Sequence, residues 1–473
     1  MAKEEGIPGS GHKPIGLRWR ASVWFTTLVV GSGIAIDLLV YSIIIPVIPF
    51  QLELIGYSDV SALSGWLLFA FSGGLLISTF PIAHVSEKYN DRRWLLIIGF
   101  IILIGSLVMM MEAPNYAVMC VARVLQGIGS SFLWVVGLAL LADAVPEQLI
   151  GQQLGLAMMG MPLGMTLGPP LGGALYSRFG FRGPFVFGIV VSAVDLCGRI
   201  LVIERKDSVQ WGFDPHVLPS KGTKEATNFD DPESKERPAA GIDKVSDLSL
   251  STLEPKEDGP IRKVSLVKTI WTLCKNRRAL AAFLVTLVYG VLLSSMEPSV
   301  PVHLKEAWGL DSKSVGLVFI AAVVPTLISA PISGYITDKK GGEWVTLPSL
   351  LISIPWTGVL IIQGKLALFV VCFGILNFFL SGVVAPVTAE LAIVSRNSPG
   401  IGYAHVYSAF NVAYGVGTTI GPVIGGQMYD RLPDGWDAVC ILGISFLAAG
   451  SVVGFAFVGE TPLLKRMVAV VKE

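Results

Sequence analysis

Long runs of apolar residues, separated by short polar loops, recur along the whole chain. A helix needs about 20 apolar residues to cross roughly 30 Å of hydrocarbon, and twelve runs are long and uncharged enough to do so. They cover residues 22–48, 61–83, 94–112, 115–145, 150–176, 183–203, 280–304, 314–337, 344–363, 366–394, 402–428 and 437–458. The pattern predicts an all-α membrane protein with 12 transmembrane helices.

Three unlike motifs occur twice, in the same order and at nearly one spacing. The Gly-Pro steps are 421 − 168 = 253 residues apart, the Pro-x-x-Pro steps 298 − 46 = 252, and two loops with an acidic residue and lysine 334 − 83 = 251. The chain is therefore predicted to be two pseudo-symmetric six-helix bundles. In a membrane protein, such a duplication suggests a transporter whose halves rock about a central site. The motifs lie at 160–173 and 414–426, Pro46–Pro49 and Pro298–Pro301, and Ala83–Lys88 and Gly334–Lys339.

Composition agrees with this pattern and divides the chain into domains. Of 473 residues, 52% are hydrophobic and only 15% charged, whereas a soluble chain carries about 25% charged residues. One polar stretch, 204–278, is rich in Pro, Ser and charge and cannot bury enough apolar surface to order itself. We predict six-helix bundles at 22–203 and 279–459, cytoplasmic tails at 1–21 and 460–473, and a cytoplasmic, largely disordered linker at 204–278.

Basic residues determine the predicted orientation. Lys and Arg collect in the N-terminus, in the loops at 88–93 and 339–340, and in the C-terminal tail, whereas the loops after the first and third spans have none. Positively charged loops stay in the cytoplasm, so both termini are predicted to be cytoplasmic. The plasma membrane is the favoured location, with a vacuolar or vesicular membrane as the alternative. The formal net charge is zero, which leaves no basic surface for nucleic acid.

Glycines recur every three or four residues before each Gly-Pro step. Small residues at that spacing let helix backbones approach closely in lipid, and proline kinks a helix by removing a backbone donor. Gly168, Pro169, Gly421 and Pro422 are therefore predicted to form a packing seam that permits conformational change. Ordinary close packing is the alternative.

These motifs resemble those of the major facilitator superfamily. The pattern GxxxGPxxGG in the fifth span is similar to the signature of its drug:proton antiporters, and RVLQGIG at 123–129 resembles another of its signatures. The segments Asp37–Pro49 and Met296–Pro301 resemble the first and seventh helices of vesicular amine transporters. The resemblance covers both halves. It implies the major facilitator fold and a twelve-helix exporter, similar to fungal multidrug or metabolite exporters.

The loop after the second span, with its copy after the eighth, resembles a loop motif of the same superfamily. The resemblance implies that Glu87, Arg92 and Asp338 clamp helix ends on the cytoplasmic side and take part in gating. The first copy departs from the usual pattern, with Ala83 and Asn90 at two glycine positions and Glu87 in place of aspartate. Simple anchoring by positive charge is the alternative.

An ionisable residue inside a predicted span costs roughly 2.5–3.5 kcal/mol on insertion scales and therefore suggests a function, and three such residues are the main candidates. Asp37 lies in the middle of the first span, Glu297 late in the seventh, and Arg123 in the fourth. A carboxylate that water reaches from opposite sides in turn can bind a proton on one side and release it on the other. Asp37 and Glu297 are predicted to carry protons or bind substrate. Arg123 must find a carboxylate, a carbonyl or water, and the resemblance implicates it in coupling. Structural hydrogen bonding is the alternative for Asp37 and Arg123, and a gate-forming hydrogen bond is the alternative for Glu297.

Several other residues are candidates for lining a substrate cavity. Aromatic residues in membrane spans are more often packing or interface anchors, and a glutamate near a helix end can snorkel, so both alternatives stay open. The candidates are Trp66, Phe69, Trp134, Glu390, Tyr407, Asn411 and Tyr414.

Two further charge patterns bear on helix packing and on substrate preference. Asp195 and Arg199 are four residues apart, and we expect them to form a structural ion pair on one helical face. Vesicular amine transporters pair a lysine with an aspartate between the second and eleventh helices, where this chain has Ser72 and Asn411. A preference for monoamines therefore does not follow from the resemblance.

The predicted function is secondary transport, as a proton-coupled antiporter that exports drugs, secondary metabolites or amines. An organic acid or sugar facilitator or symporter of the same fold is the first alternative, and a non-transporting membrane sensor the second. The sequence has no Walker motif and its five cysteines are scattered singly, so neither direct use of ATP nor a metal site is predicted. We expect no enzymatic activity and no cofactor. The expected partners are a small-molecule substrate, protons and the lipid bilayer, with the protein as a monomer.

Overall fold

A computed structural model describes residues 14–89, 91–146, 149–215, 271–396, 403–459, 462–464 and 467. Regular structure in this part of the chain is helical, and it contains no strand. The helices of the first half are α1 (Leu17–Arg20), α2 (Val23–Ser42), α3 (Ile48–Leu54), α4 (Val60–Tyr89), α5 (Arg92–Met111), α6 (Tyr116–Ala144), α7 (Ile150–Met158), α8 (Gly160–Phe179), α9 (Arg182–Leu201) and α10 (Arg205–Gln210).

The second half begins after the linker and follows the same order. Its helices are α11 (Arg277–Met296), α12 (Ser299–Trp308), α13 (Ser312–Lys340), α14 (Glu343–Val359), α15 (Leu366–Ser381), α16 (Val384–Arg396), α17 (Tyr403–Arg431) and α18 (Gly435–Phe457).

Nine helical segments within the described ranges are long and apolar enough to cross a membrane. Three predicted spans have no counterpart in this set: α14 has only 17 residues, and α8 and α17 carry the glycine-rich Gly-Pro segments. The protein is thus a multi-pass membrane protein, and the count of twelve stays a prediction. The nine segments are Val23–Ser42, Val60–Ser86, Arg92–Met111, Tyr116–Ala144, Arg182–Gln210, Arg277–Met296, Ser312–Thr337, Leu366–Leu391 and Gly435–Phe457.

The seventh predicted span is two helices rather than one, and the first predicted span, 22–48, likewise contains a break and ends where α3 begins. In the first half α2 ends at Ser42 and α3 begins at Ile48, and in the second half α11 ends at Met296 and α12 begins at Ser299. Both breaks fall at the first proline of a Pro-x-x-Pro step, where the missing backbone N–H removes a helical hydrogen bond. The break leaves Glu297 at the junction between α11 and α12.

Rows of glycine bring the Gly-Pro helices into backbone contact with their neighbours. A β-carbon at Gly164 would lie 2.2 Å from the carbonyl oxygen of Ala35, and one at Gly172 would lie 1.8 Å from that of Ile43, both on the α2 side. The second half repeats this packing, since a β-carbon at Gly425 would lie 2.0 Å from the carbonyl oxygen of Ser295. The close approach of small residues predicted from the glycine spacing is present in both halves.

The two halves meet along two related helix pairs. On one side α8 contacts α13, where a β-carbon at Gly173 would lie 2.2 Å from the carbonyl oxygen of Ser312. On the other side α4 contacts α17, where a β-carbon at Gly426 would lie 2.5 Å from the carbonyl oxygen of Ser61. These four helices therefore form the contact surface between the halves.

The start of the predicted linker is ordered and packed on the first half. Glu204 is buried, and its side chain accepts a hydrogen bond of 2.6 Å from the backbone N–H of Arg93. Helix α10 follows directly. The predicted disorder of the remaining linker concerns residues 216–270, which lie outside the described part of the chain.

Candidate functional site

A phenol, a guanidinium and a carboxylate meet where the two halves join. Tyr41 of α2 donates a hydrogen bond of 2.7 Å to Oε2 of Glu297, at the junction of α11 and α12. The Arg123 guanidinium of α6 lies 5.8 Å from the centre of the Tyr41 ring and 5.7 Å from that of Phe71. All four side chains are buried. Glu297 and Arg123, predicted on separate grounds, therefore belong to one cluster, which we call the central cluster (Tyr41, Phe71, Arg123 and Glu297).

Arg123 finds a carbonyl oxygen, as expected from sequence, and the carbonyl belongs to a side-chain amide. Its Nη1 donates to Oε1 of Gln126 at 2.7 Å, one helical turn away. Its Nε and Nη2 have no hydrogen-bond partner among the described residues. The guanidinium also lies over the Tyr41 and Phe71 rings, an arrangement that stabilises its charge by cation–π attraction.

Asp37 lies one helical turn from Tyr41 but faces the interior of the first half. Its Oδ2 accepts hydrogen bonds from Ser130 Oγ at 2.6 Å and from Trp134 Nε1 at 3.0 Å, both on α6. Its Oδ1 has no partner among the described side and main chains, and the residue is 0% exposed. Trp134 thus joins Asp37, as a hydrogen-bond donor rather than as a stacking surface.

The ion pair expected between Asp195 and Arg199 is confirmed. Arg199 Nε and Asp195 Oδ2 are 2.9 Å apart, and both side chains are 2% exposed. Ser32 donates to the other carboxylate oxygen at 2.5 Å. The guanidinium lies against Gly33, where a β-carbon would come within 1.7 Å of Nη2. The pair therefore lies between α9 and α2, one turn from Asp37.

A small cavity of about 70 Å³ borders Glu297. Its walls come from both halves, with Ser42 and Met165 on one side and Phe319 and Asn377 on the other. Most of the lining is apolar, so Glu297 is its charged group. Asp37 is not among the lining residues.

The predicted aromatic residues divide into two groups. Tyr414 stacks on Tyr289 with ring centres 5.8 Å apart, and both tyrosines lie close enough to Glu297 for its charge to act on them. In contrast, Trp66 and Phe69 pack against each other on the exposed face of α4. That face is opposite the buried face of α4, which carries Leu68 and Phe71. Trp66 and Phe69 therefore do not line a cavity, contrary to the prediction. The side chains of Tyr407 and Asn411 lie outside the described residues.

Glu390 is buried and paired rather than exposed in a vestibule. Its two carboxylate oxygens contact the Arg278 guanidinium, with Nη2 to Oε1 at 3.0 Å. The backbone N–H of Gly459 also donates to it at 3.3 Å. Glu390 therefore joins the ends of α16, α11 and α18.

Arg92, in the loop motif of the first half, forms an ion pair. Arg92 Nε lies 3.1 Å from Oδ2 of Asp143, so the start of α5 is tied to the end of α6. Arg92 also donates to the backbone carbonyl of Ser86 at 2.5 Å. The side chains of Glu87 and Asp338 lie outside the described residues, so their predicted roles stay predictions.

Cross-half contacts are concentrated at the end of the bundle that contains α3 and α12, which we call the α3/α12 end. Ser312 Oγ donates to the carbonyl of Pro46 at 2.7 Å, and the N–H of Ala62 donates to Oδ2 of Asp430 at 2.6 Å. Lys305 forms an ion pair with Glu53. At the opposite end, the pairs Arg92–Asp143 and Arg278–Glu390 each lie within one half.

Sequence reasoning missed Tyr41, Ser130 and Tyr289. Tyr41 follows Asp37 by four residues, so helical spacing placed it on the same face. Its partner Glu297 is 256 residues away, and no local pattern connects the two.

Within the described residues, no group of three or more His, Cys, Asp or Glu side chains is arranged to hold a metal ion.

This architecture matches one large family of membrane proteins. The family model for the Major Facilitator Superfamily matches residues 30–297 and 278–470. The chain therefore belongs to this superfamily and is a secondary transporter, not an enzyme.

Individual relatives are distant. The chain is 26% identical over 480 residues to the MFS-type transporter ppzB of Metarhizium rileyi, covering 95% of this chain and 97% of the relative. It is 25% identical over 362 residues to the chromaffin granule amine transporter of Rattus norvegicus, covering 74% and 58%. These matches confirm the resemblance to fungal transporters and vesicular amine transporters.

A solved structure supports the fold. The bacterial homolog of the human lysosomal transporter Spinster, in its inward-facing and unoccupied conformation, aligns with a TM-score of 0.65 and 15% identity. The alignment covers 97% of this chain and 96% of that one. At this identity the likeness shows the fold alone, and it is the major facilitator fold predicted from sequence.

Proposed function

We propose that this protein is a proton-coupled antiporter that exports small organic molecules by alternating access. The observation that carries the proposal is the pair of buried carboxylates, Asp37 in the first half and Glu297 in the second. An ionised carboxylate in an apolar interior is unfavourable unless it is paired, hydrogen-bonded or protonated. Each of the two is therefore suited to exchange a proton for a second ligand.

Glu297 is the better placed of the two for substrate. It borders the cavity, whereas Asp37 is held by Ser130 and Trp134 away from it. In this proposal a substrate occupies the cavity beside Glu297, and Asp37 carries a proton within the first half. Arg123, whose Nε and Nη2 have no hydrogen-bond partner among the described residues, would favour the ionised form of Glu297 by its positive charge without contacting it in an ion pair.

The proposed orientation places both termini in the cytoplasm, with the α3/α12 end facing outward. The cross-half contacts at that end support a conformation that is closed to the outside. The close backbone contacts of Pro169 with Gly316 and of Pro422 with Gly65, which join the halves, would then serve as the surfaces on which the halves rock. The Arg92–Asp143 pair would restrain the inner end. We favour a monomer in the plasma membrane, with a vacuolar or vesicular membrane as the alternative, to be distinguished by imaging of a fluorescent fusion.

The test uses purified protein in liposomes with an imposed pH gradient. Candidate substrates come from an untargeted comparison of metabolites exported by cells with and without the protein. Proton release is followed with a trapped pH-sensitive dye. Asp37→Asn and Glu297→Gln should each abolish gradient-driven transport, whereas Glu112→Gln, at an exposed carboxylate, should not. If transport of every responsive compound ignores the gradient, proton coupling is wrong.

A facilitator or symporter for organic acids is the second candidate. The observation in its favour is the Arg123 guanidinium, which has two nitrogens without a partner among the described residues and has the geometry to bind a carboxylate. A counterflow assay with labelled organic acids decides between the two. Exchange of an organic acid that is lost in Arg123→Lys and indifferent to pH would favour this second candidate.

A further inference from the structure

The hydrogen bond from Tyr41 to Glu297 is a direct link between the two halves in the protein interior. Tyr41 belongs to α2 and is 7% exposed; Glu297 belongs to the second half and is 8% exposed. The other cross-half hydrogen bonds among the described residues, such as Ser61–Ser299 at 3.3 Å and Ser312–Pro46, lie nearer the α3/α12 end. The Tyr41–Glu297 bond is thus the innermost of these hydrogen bonds and lies beside the cavity.

We propose that Tyr41 is a positioning residue that makes closure of the α3/α12 end depend on the charge of Glu297. While Glu297 is ionised and empty, Tyr41 holds it and keeps the halves together. When a proton or a cationic group of the substrate binds to Glu297, the hydrogen bond from Tyr41 is weakened and the halves can separate. This inference rests on the proposed antiport for its biological meaning, whereas the contact between Tyr41 and Glu297 is independent of that proposal.

The charge dependence follows from the nature of the bond. A phenol donates a shorter and roughly twice stronger hydrogen bond to a carboxylate than to a neutral oxygen. The groups that face Glu297 are Tyr41 on α2, Arg123 on α6, Tyr414 on α17 and Tyr289 on its own helix. Arg123 is the cation among them, and Tyr41 contacts both it and Glu297. The phenol therefore transmits the charge state of Glu297 across the junction.

This device accounts for obligatory exchange. An empty carrier with an ionised Glu297 is held closed, so it cannot return without cargo. A carrier that has bound either a proton or a substrate can open. Because binding and opening are linked, whichever ligand weakens the bond must itself bind more tightly to the open form.

The experiment measures the separation of the halves directly, without substrate. Spin labels are placed at two exposed positions of the α3/α12 end, Leu54 in the first half and Lys365 in the second, after the five native cysteines are replaced. Distance distributions are recorded between pH 5 and 9. Tyr41→Phe keeps the ring on Phe71 and removes only the hydroxyl. Tyr116→Phe is the matched control, because its hydroxyl donates to the Leu63 carbonyl at 2.7 Å within one half.

We expect the unsubstituted chain to gain a longer distance as the pH falls. Tyr41→Phe should show this longer distance at every pH, with an open-to-closed ratio raised about tenfold, and Glu297→Gln should do the same. Tyr116→Phe should follow the unsubstituted chain. A distribution for Tyr41→Phe that matches the unsubstituted chain at all pH values overturns the proposal, and so does opening that is independent of pH in the unsubstituted chain. Failure of the liposome assay alone would instead contradict the antiport, since the distances need no transport.

Discussion

Ser42 and Ser294 make the same two hydrogen bonds in the two halves of the protein. Each donates at 2.7 Å to the carbonyl four residues earlier in its own helix, that of Leu38 or of Gly290. Each also lies 3.3 Å from the carbonyl of a glycine in the Gly-Pro helix, Gly164 or Gly417. The two serines are 294 − 42 = 252 residues apart, the spacing of the sequence repeat. The duplication is therefore preserved at the level of individual contacts.

Adding a methyl group to a glycine that packs against a neighbouring helix should lower the stability of the protein by a similar amount in either half. In Gly172→Ala and Gly425→Ala the new β-carbon would meet a backbone carbonyl at 1.8 and 2.0 Å, which cannot move as a side chain can. We expect a loss of about 1–3 kcal/mol in each case, visible as a lower thermal unfolding temperature of the purified protein. Gly73→Ala, where nothing lies within 4 Å, is the control. An equal loss there would show that close backbone contact is not the cause of the lower stability.

Removing the donors to Asp37 should impair proton-driven transport. Ser130→Ala and Trp134→Phe each delete one hydrogen bond to Oδ2, and a bond to a charged group contributes about 1.5–3 kcal/mol. We expect about a tenfold fall in gradient-driven uptake, with substrate exchange at equal pH largely retained. Ser106→Ala removes a hydroxyl that bonds only within its own helix and serves as the control. Normal uptake in both donor variants would show that Asp37 needs no such support.

The buried Asp195–Arg199 pair should tolerate joint replacement better than single replacement. Arg199→Gln alone leaves a buried carboxylate without its cation, which costs about 3–5 kcal/mol. Asp195→Asn with Arg199→Gln removes both charges and should recover most of that loss. Thermal unfolding of the two single variants and the double variant gives the coupling. A strictly additive result would mean that the two side chains do not interact.

The Arg92–Asp143 pair should matter for transport rate more than for stability. Its Arg92 side chain is 13% exposed, so Arg92→Gln breaks a partly buried contact between α5 and α6. We expect slower initial uptake, and recovery in the charge-exchanged variant Arg92→Asp with Asp143→Arg. The exposed pair Arg182–Glu112 is the control, because surface pairs contribute at most about 1 kcal/mol. Equal slowing in Arg182→Gln would argue against a gating role.

The sequence allowed much of the fold to be predicted, because the relevant signals are local. Apolar runs mark membrane spans wherever they occur, and the repeat of Gly168 at Gly421 needs no knowledge of contacts. The charges inside the spans were also visible, so Asp37, Arg123 and Glu297 could be named. The breaks at Pro46 and Pro298 fell within predicted spans, since hydropathy does not register the loss of a single backbone donor.

The amino-acid sequence by itself determined the spans, the duplication and the identity of the buried charges. Only the tertiary structure decided which side chains meet, Tyr41 with Glu297 and Asp37 with Trp134. It also decided that Trp66 lies on the exposed face of α4. The reason is physical. Lipid and protein interior are both apolar, so the hydrophobic pattern does not tell which face of a membrane helix is buried. The rotation of each helix is set by its close contacts with its neighbours, and those contacts exist only in the folded protein.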